Sequence, residues 1–242
     1  MKRPKRPRSG PQTVMVVDVG GSNVKLTLSG LKERIKFGSG PRFTPRQMMA
    51  GIRKYASHWK YDAVSIGLPT PVVRDHPINE PHNLGRGWVK FDYRAAFGKP
   101  CKLINDAAMQ AIGSYEGGRM LFLGLGTGLG SAMILDGVLV SLELCDLSFT
   151  QSFTFEDMLG RIGRKRLGQK KWEAALDTIV TILRNAILTD YVVLGGGNAR
   201  RVERLPAGIR LGDNRNAFLG GLRLWGLGPN WTRSKTSALI IR

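Results

Sequence analysis

LFLGLGTGLGSAMILDG, residues 121 to 137, sets a glycine-rich turn between two apolar runs and so reads as strand, turn, strand. Gly124, Gly126, Gly128 and Gly130 alternate strictly. That spacing departs from the GxGxxG of a dinucleotide fold, and no GxxxxGK(S/T) loop occurs in the chain, so both common helix-capped phosphate sites are disfavoured. A Gly-Thr-Gly turn without Cβ atoms can take positive φ and bring backbone N–H groups close to an anion, with the Thr127 hydroxyl as a further donor. The expectation for 126–128 is a phosphate cradle; the plain alternative is a simple hairpin.

A second copy of the idea stands near the N-terminus, where VMVVDVGGSNVKLTLSG (14 to 30) again runs strand, glycine turn, strand. Asp18 ends the first strand just before Gly20, Gly21 and Ser22, and Lys25 follows within a few residues. A carboxylate beside a phosphate turn repels the phosphate unless a cation lies between them, which points to Mg²⁺ with oxygen ligands and retained waters. Two such loops imply two related halves.

The chain has 242 residues and 42% hydrophobic content, enough for one large or two small globular domains. Its two cysteines, Cys101 and Cys145, build neither a disulfide framework nor a zinc site, and they fit a reducing, cytoplasmic setting. The basic start MKRPKRPRSGPQ is followed by an apolar run too short for a signal peptide, and no stretch is long and apolar enough to span a membrane. Net charge is +19, and only five of those charges lie in the first eight residues. The excess belongs to the body, with dense patches at Arg161, Arg164, Lys165, Arg166, Lys170 and Lys171 and at Arg200, Arg201 and Arg204. A field of this kind attracts polyanions: polyphosphate, nucleic acid or an acidic membrane surface.

Periodicity predicts strands over 14–19, 23–29 and 33–38, a helix from Pro45 to Ser57, a buried strand entering a Gly/Pro loop over 63–72, and a long loop over 74–88. A short strand over 101–105 leads into an alanine-rich helix over 106–115 with Asp106 as its N-cap. The second half opens on the second glycine hairpin and a strand over 137–142. An amphipathic helix over 170–188, a buried strand from 191 into Gly195, Gly196 and Gly197, and a last helix over 216–225 follow. Strands followed by helices in each half predict a two-lobed α/β protein. The lobes are expected over 13–113 and 114–228, with a disordered basic tail over 1–12 and a C-terminal tail over 229–242.

The order of motifs resembles the ROK family of sugar kinases, most closely its polyphosphate glucokinase branch, over roughly residues 14 to 226. DVGGSNVK is similar to the family's first phosphate motif, SIGLPTPV to its connecting loop and INDA to its catalytic motif. LGTGLGSAMILDG is similar to its second phosphate motif and VVLGGG to its nucleotide-side motif. The resemblance implies the actin/hexokinase/Hsp70-like ATPase fold, related to ribonuclease H. It also implies transfer of a phosphoryl group from polyphosphate or ATP to the 6-hydroxyl of glucose, with Mg²⁺. On it, Asp106 is the general base, and Asn83, Asn105, Glu143 and Asp146 line the sugar site. Asp18, Gly20, Gly21, Ser22, Asn23, Lys25, Gly126, Thr127, Gly128 and Gly195–Gly197 handle phosphate or nucleotide, with Asp18 toward the metal.

Departures from the family bear on the substrate. Glu143, Leu144, Cys145 and Asp146 stand where Glu-Leu-Gly-His is common, Thr70 replaces a usual glycine, and the family's cysteine-rich zinc segment is absent together with a glutamate sugar ligand. A kinase for an aminosugar or another alcohol, with Asp146 pairing a cationic group, therefore stands as an alternative. A non-catalytic sugar- or polyanion-binding protein is the other. Twelve tail residues cannot supply the helix-turn-helix of ROK repressors, so nucleic acid is not the expected partner, no membrane partner is expected, and a homodimer is left open by the family's habits.

Overall fold

The computed structural model describes residues 11–205, 207–213 and 215–227. All but the last two residues of the expected N-terminal tail, and the whole of the expected tail over 229–242, lie outside that set.

The first half begins with β1 (Val14–Val19), β2 (Asn23–Leu28) and β3 (Arg34–Gly38), an antiparallel meander, followed by α1 (Pro45–Ala56). Thr44 caps α1 through a capping box with Gln47, and Pro45 supplies a φ already suited to a first turn. β4 (Ala63–Leu68) returns parallel to β1; a small hairpin of β5 (Val72–Val73) and β6 (His76–Pro77), a short α2 (Tyr93–Phe97), and β7 (Cys101–Asn105), parallel to β4, follow. α3 (Asp106–Ser114) closes the half. The sheet order is β3-β2-β1-β4-β7.

The second half repeats the plan: β8 (Arg119–Leu125), β9 (Leu129–Leu135) and β10 (Val138–Leu142) form a meander. A 3-10 turn at Leu144–Asp146, α4 (Phe155–Leu159) and α5 (Arg161–Ile187) precede β11 (Tyr191–Gly195), a 3-10 turn at Ala199–Arg201, β12 (Ile209–Leu211) and α6 (Asn216–Arg223). The order is β10-β9-β8-β11-β12. The predicted helix over 170–188 is the part of α5 beyond Gly168, whose φ of 71° breaks the helix; the segment from Arg161 was not legible as helix because the glycine interrupts its pattern.

Alternation decides which way each strand looks. Met15, Val17 and Val19 of β1 pack with α1 and Trp88, while Val14 and Val16 point to the other face and join Ala63, α3, α6 and the second sheet in one core. α5 lies on the far face of the second sheet, against Leu121, Leu123, Val192 and Leu194. The space between the two sheets is thus filled by α3 and α6 together. They cross closely because glycines meet there: a Cβ on Gly220 would run into the Met109 carbonyl oxygen, and one on Gly113 into that of Asn216. Arg223, buried at the end of α6, donates through Nη1 to the carbonyls of Ile112, Gly113 and Tyr115 and so satisfies the C-terminus of α3.

Candidate active site

Asp18 is the last buried residue on the interlobe face of β1, in line with Val14 and Val16, and is only 4% exposed. Directly across the ladder stands Lys25 of β2, whose Nζ donates to Asp18 Oδ2 at 2.8 Å. The turn between them is tied by Gly20 N–H to the Asn23 carbonyl (2.9 Å) and by the Ser39 hydroxyl to the Gly20 carbonyl (2.6 Å). Ser22 is exposed at its tip. Gly21 packs beside Asn83, where a Cβ would come 3.1 Å from Asn83 Cβ, so the loop after β6 closes onto the first glycine turn.

Asp106 is not the N-cap. Asn105 takes that place: its backbone is extended (φ −61°, ψ 142°) and its Oδ1 accepts from Ala108 N–H at 3.1 Å, while Nδ2 donates to the Thr70 carbonyl at 3.3 Å. Asp106 is the first residue of α3, and its Oδ1 accepts from its neighbour Ala107 N–H at 2.8 Å. Burial, and then the nearby Asp18 carboxylate, push the Asp106 carboxyl up to about 7, against the opposing pull of the Ala107 N–H and Lys25; Glu143 adds a further upward push. Asp18, Lys25, Asp106 and Glu143 therefore share one electrostatic neighbourhood.

The second glycine turn is a hairpin between β8 and β9, but none of Gly20, Gly21, Gly126, Gly128 or Gly130 has positive φ. The expected reason for these glycines is thereby corrected. At Gly128 and Gly130 what matters is room: a Cβ on Gly128 would occupy the position of the Glu156 carboxylate, and one on Gly130 would come 2.7 Å from Ala107 Cβ, next to Asp106. Glu156, at the start of α4, accepts from Leu129 N–H at 2.9 Å and pins the turn from outside. Sequence reasoning missed this residue. The readable signal was the capping box of Thr154 and Asp157, which announces a helix start at that point. Thr127 offers its carbonyl to Arg161 N–H at 3.2 Å, joining the turn to α5. Gly195 ends β11 and Gly196 turns at φ 80°, so close to β8 that a Cβ would lie 2.5 Å from the Leu125 carbonyl oxygen; Gly197 is open. Asn198 Nδ2 then donates to the Gly126 carbonyl at 3.0 Å, which fastens the two loops to each other.

Among the residues expected to line a sugar, Glu143 precedes the Leu144–Asp146 turn, and its carboxyl is raised, first by burial and also by Asp146 and Glu156, against a bond from the Cys145 thiol. Cys145 itself is pushed up to about 12 by burial and the same three carboxylates. Asp146 is exposed, and Thr70 is buried with its hydroxyl on the Asn79 carbonyl at 2.8 Å. Thr70 therefore anchors the connecting loop and offers no free donor to a pocket. Among the described residues no hydrogen bond joins Asn83 to Asp106 or Glu143.

As a metal site the cluster is sparse: among the described residues no three acidic, histidine or cysteine side chains are placed to hold one metal ion together. Mg²⁺ commonly takes one or two carboxylates and completes its octahedron with water and phosphate oxygens, so the hard oxygen of Asp18 beside the first glycine turn fits such an ion. Among the described residues no helix is long and apolar enough to cross a membrane.

No protein-family model matches the chain. The polyphosphate glucokinase of Mycobacterium tuberculosis (strain CDC 1551 / Oshkosh) is 24% identical over 209 residues, 78% of either chain. In sequence the chain is similar to polyphosphate glucokinases. Among solved structures, the inorganic polyphosphate/ATP-glucomannokinase of Arthrobacter sp. strain KM superposes on this chain with a TM-score of 0.74 at 20% identity, covering 88% of it and 97% of the other. A ROK family glucokinase from Streptomyces griseus in complex with glucose and AMPPNP gives 0.68 at 14% identity, covering 89% and 100%. These likenesses establish the two-lobed actin/hexokinase-like fold of the chain.

Proposed function

We propose that the protein transfers the terminal phosphoryl group of polyphosphate or ATP to the 6-hydroxyl of glucose, giving glucose 6-phosphate. Asp106 carries the reading: a carboxyl held at about 7, at a helix start between two glycine hairpins, is poised to take a hydroxyl proton near neutral pH. In this step the sugar oxygen forms a new bond to phosphorus, the bond to the rest of the donor breaks, and the proton passes to Asp106. Lys25 supplies positive charge toward the transferring group, where phosphoryl transfer needs it, and so do the N–H groups of the two glycine turns other than those of Gly20 and Gly126, which are bonded within the turns. A bound Mg²⁺, held through Asp18, would supply charge neutralisation for the donor phosphates. Asn83, Asn105 and Glu143 are assigned to orienting the sugar.

A coupled assay with glucose and Mg²⁺, run with ATP and with long-chain polyphosphate, tests this reading. Absence of glucose-dependent turnover with both donors sinks it. A second reading, a kinase for a cationic aminosugar, is favoured by the nearness of the carboxylates of Asp146 and Glu156 to Glu143, whose own carboxyl they help to raise. Glucosamine exceeding glucose in kcat/KM would decide for it.

A further inference from the structure

A cavity of about 470 Å³ opens where the first sheet faces the N-terminal end of α6, starting at Lys25. Its walls carry five cations, Lys25, Arg34 and Lys36 from the first lobe and Arg200 and Arg215 from the second, against one acid, Asp213. That acid is already engaged by Arg215 at 2.6 Å. Three of the cations share one sheet face: Lys36 is the cross-strand partner of Lys25, and Arg34 lies two residues from Lys36. Like charges placed directly opposite on a ladder are destabilising; Asp18 answers the charge of Lys25, but Lys36 makes no ion pair among the described residues. The remaining lining is Ile35 and Phe218, and the Phe218 ring has the Arg34 guanidinium 5.3 Å from its centre.

We infer that this cavity binds a linear run of inorganic polyphosphate, leading the donor chain away from Lys25 between β2–β3 and α6. The inference rests on the phosphotransferase reading for its direction, since Lys25 is bonded to Asp18 beside Asp106. The chemistry of the wall selects the ligand. Closely spaced cations on both sides match an unbroken row of phosphates, whereas a nucleoside needs a free ring face or amide and hydroxyl partners. Among the described residues the wall has no amide or hydroxyl side chain, and Arg34 sits over the ring of Phe218. The dense basic run of α5 is a different surface: α5 packs on the far face of the second sheet, and of the patches singled out in the sequence only Arg200 reaches the cavity.

The test is direct binding of long-chain polyphosphate to the full-length protein without sugar, across a salt series. Arg34→Gln with Lys36→Gln should weaken binding roughly 10- to 100-fold near 0.1 M salt and lower the slope of log affinity against log salt by about 1 to 2. Arg200→Gln, from the opposite wall, should act in the same direction. Lys170→Gln with Lys171→Gln removes the same net charge from α5 and should change affinity by less than about 3-fold if only the general field is altered. Equal losses for the two double variants would overturn the assignment, as would a single-stranded RNA of matched charge binding as tightly as polyphosphate. Turnover plays no part in these readings, so a protein that binds the chain here yet fails to phosphorylate sugar would refute the proposed function and leave this site standing.

Discussion

Replacing Asp106 with Asn should make the protein more stable while nearly abolishing its turnover, and the stability gain should depend on pH in a stated way. The native carboxyl binds its proton up to about pH 7, against 3.8 for the free side chain. Between those values the folded state holds more protons than the unfolded one, so stability declines as pH rises through that window and levels off above it. A shift of about three units corresponds to roughly 4 kcal/mol of destabilisation above pH 7. An amide keeps the Ala107 N–H bond and has no charge to desolvate, though it buries its own dipole, so a net gain of about 2 to 3 kcal/mol is expected at pH 8. For a chain of this length that is a Tm rise of roughly 4 to 12 °C, shrinking by more than half at pH 5. The kcat should fall roughly 10²- to 10⁴-fold, the scale of general-base removal, and the wild-type kcat/KM should rise with pH through about 7. Thermal melts of both proteins at pH 5 and pH 8 are the assay. A Tm difference that is the same at the two pH values, or a loss at pH 8, would refute the argument from burial and Asp18.

Gly128→Ala should expel the Glu156 carboxylate from Leu129 N–H and lower kcat/KM for the donor about 10-fold. In the double variant with Glu156→Ala the cost should not exceed that of Glu156→Ala alone, and additive losses in this cycle would remove the proposed coupling. Gly220→Ala forces a Cβ onto the Met109 carbonyl and should cost more than about 3 kcal/mol, read by chemical denaturation; a near-normal midpoint would mean that α3 and α6 slide apart easily. Both thiols, Cys101 and Cys145, are pushed up to about 12 chiefly by burial, so the native protein should react slowly with a disulfide thiol reagent at pH 8 and quickly once unfolded. Fast labelling of the native protein would contradict that burial.

What the sequence disclosed and what it hid divide along a physical line. Strand, turn and strand around Asp18 and around Thr127 were legible because apolar runs and glycines are local signals, and so was Asp106 beside a helix start. Glu156 was hidden, being 27 residues from the Leu129 N–H that it accepts. The use of Gly128 and Gly130 was misread as a matter of dihedral angle, since the atoms that crowd them, on Glu156 and Ala107, come from other elements. Asn105 as the cap, with Asp106 left over for chemistry, depends on ψ 142° at Asn105, one residue away from the expected place. Cross-strand neighbours such as Lys25 and Lys36 become visible only once register is fixed.

The helices between the sheets bear on how the molecule can come apart. Val14, Val16 and Ala63 from one sheet share a core with Met120, Phe122 and Val193 from the other, and α6, the last element among the described residues, packs against β1 and β4. Chain ends and chain middle are thereby stitched into a single cooperative block, although the halves look like duplicates. Cutting the backbone near Glu116 would yield two fragments that each expose half of that core and find burial for it chiefly in one another. Such fragments have the makings of a split reporter: separately each holds one glycine hairpin, and only jointly do they bring both together, because Asp18 and Asp106 come from one piece and Thr127 from the other.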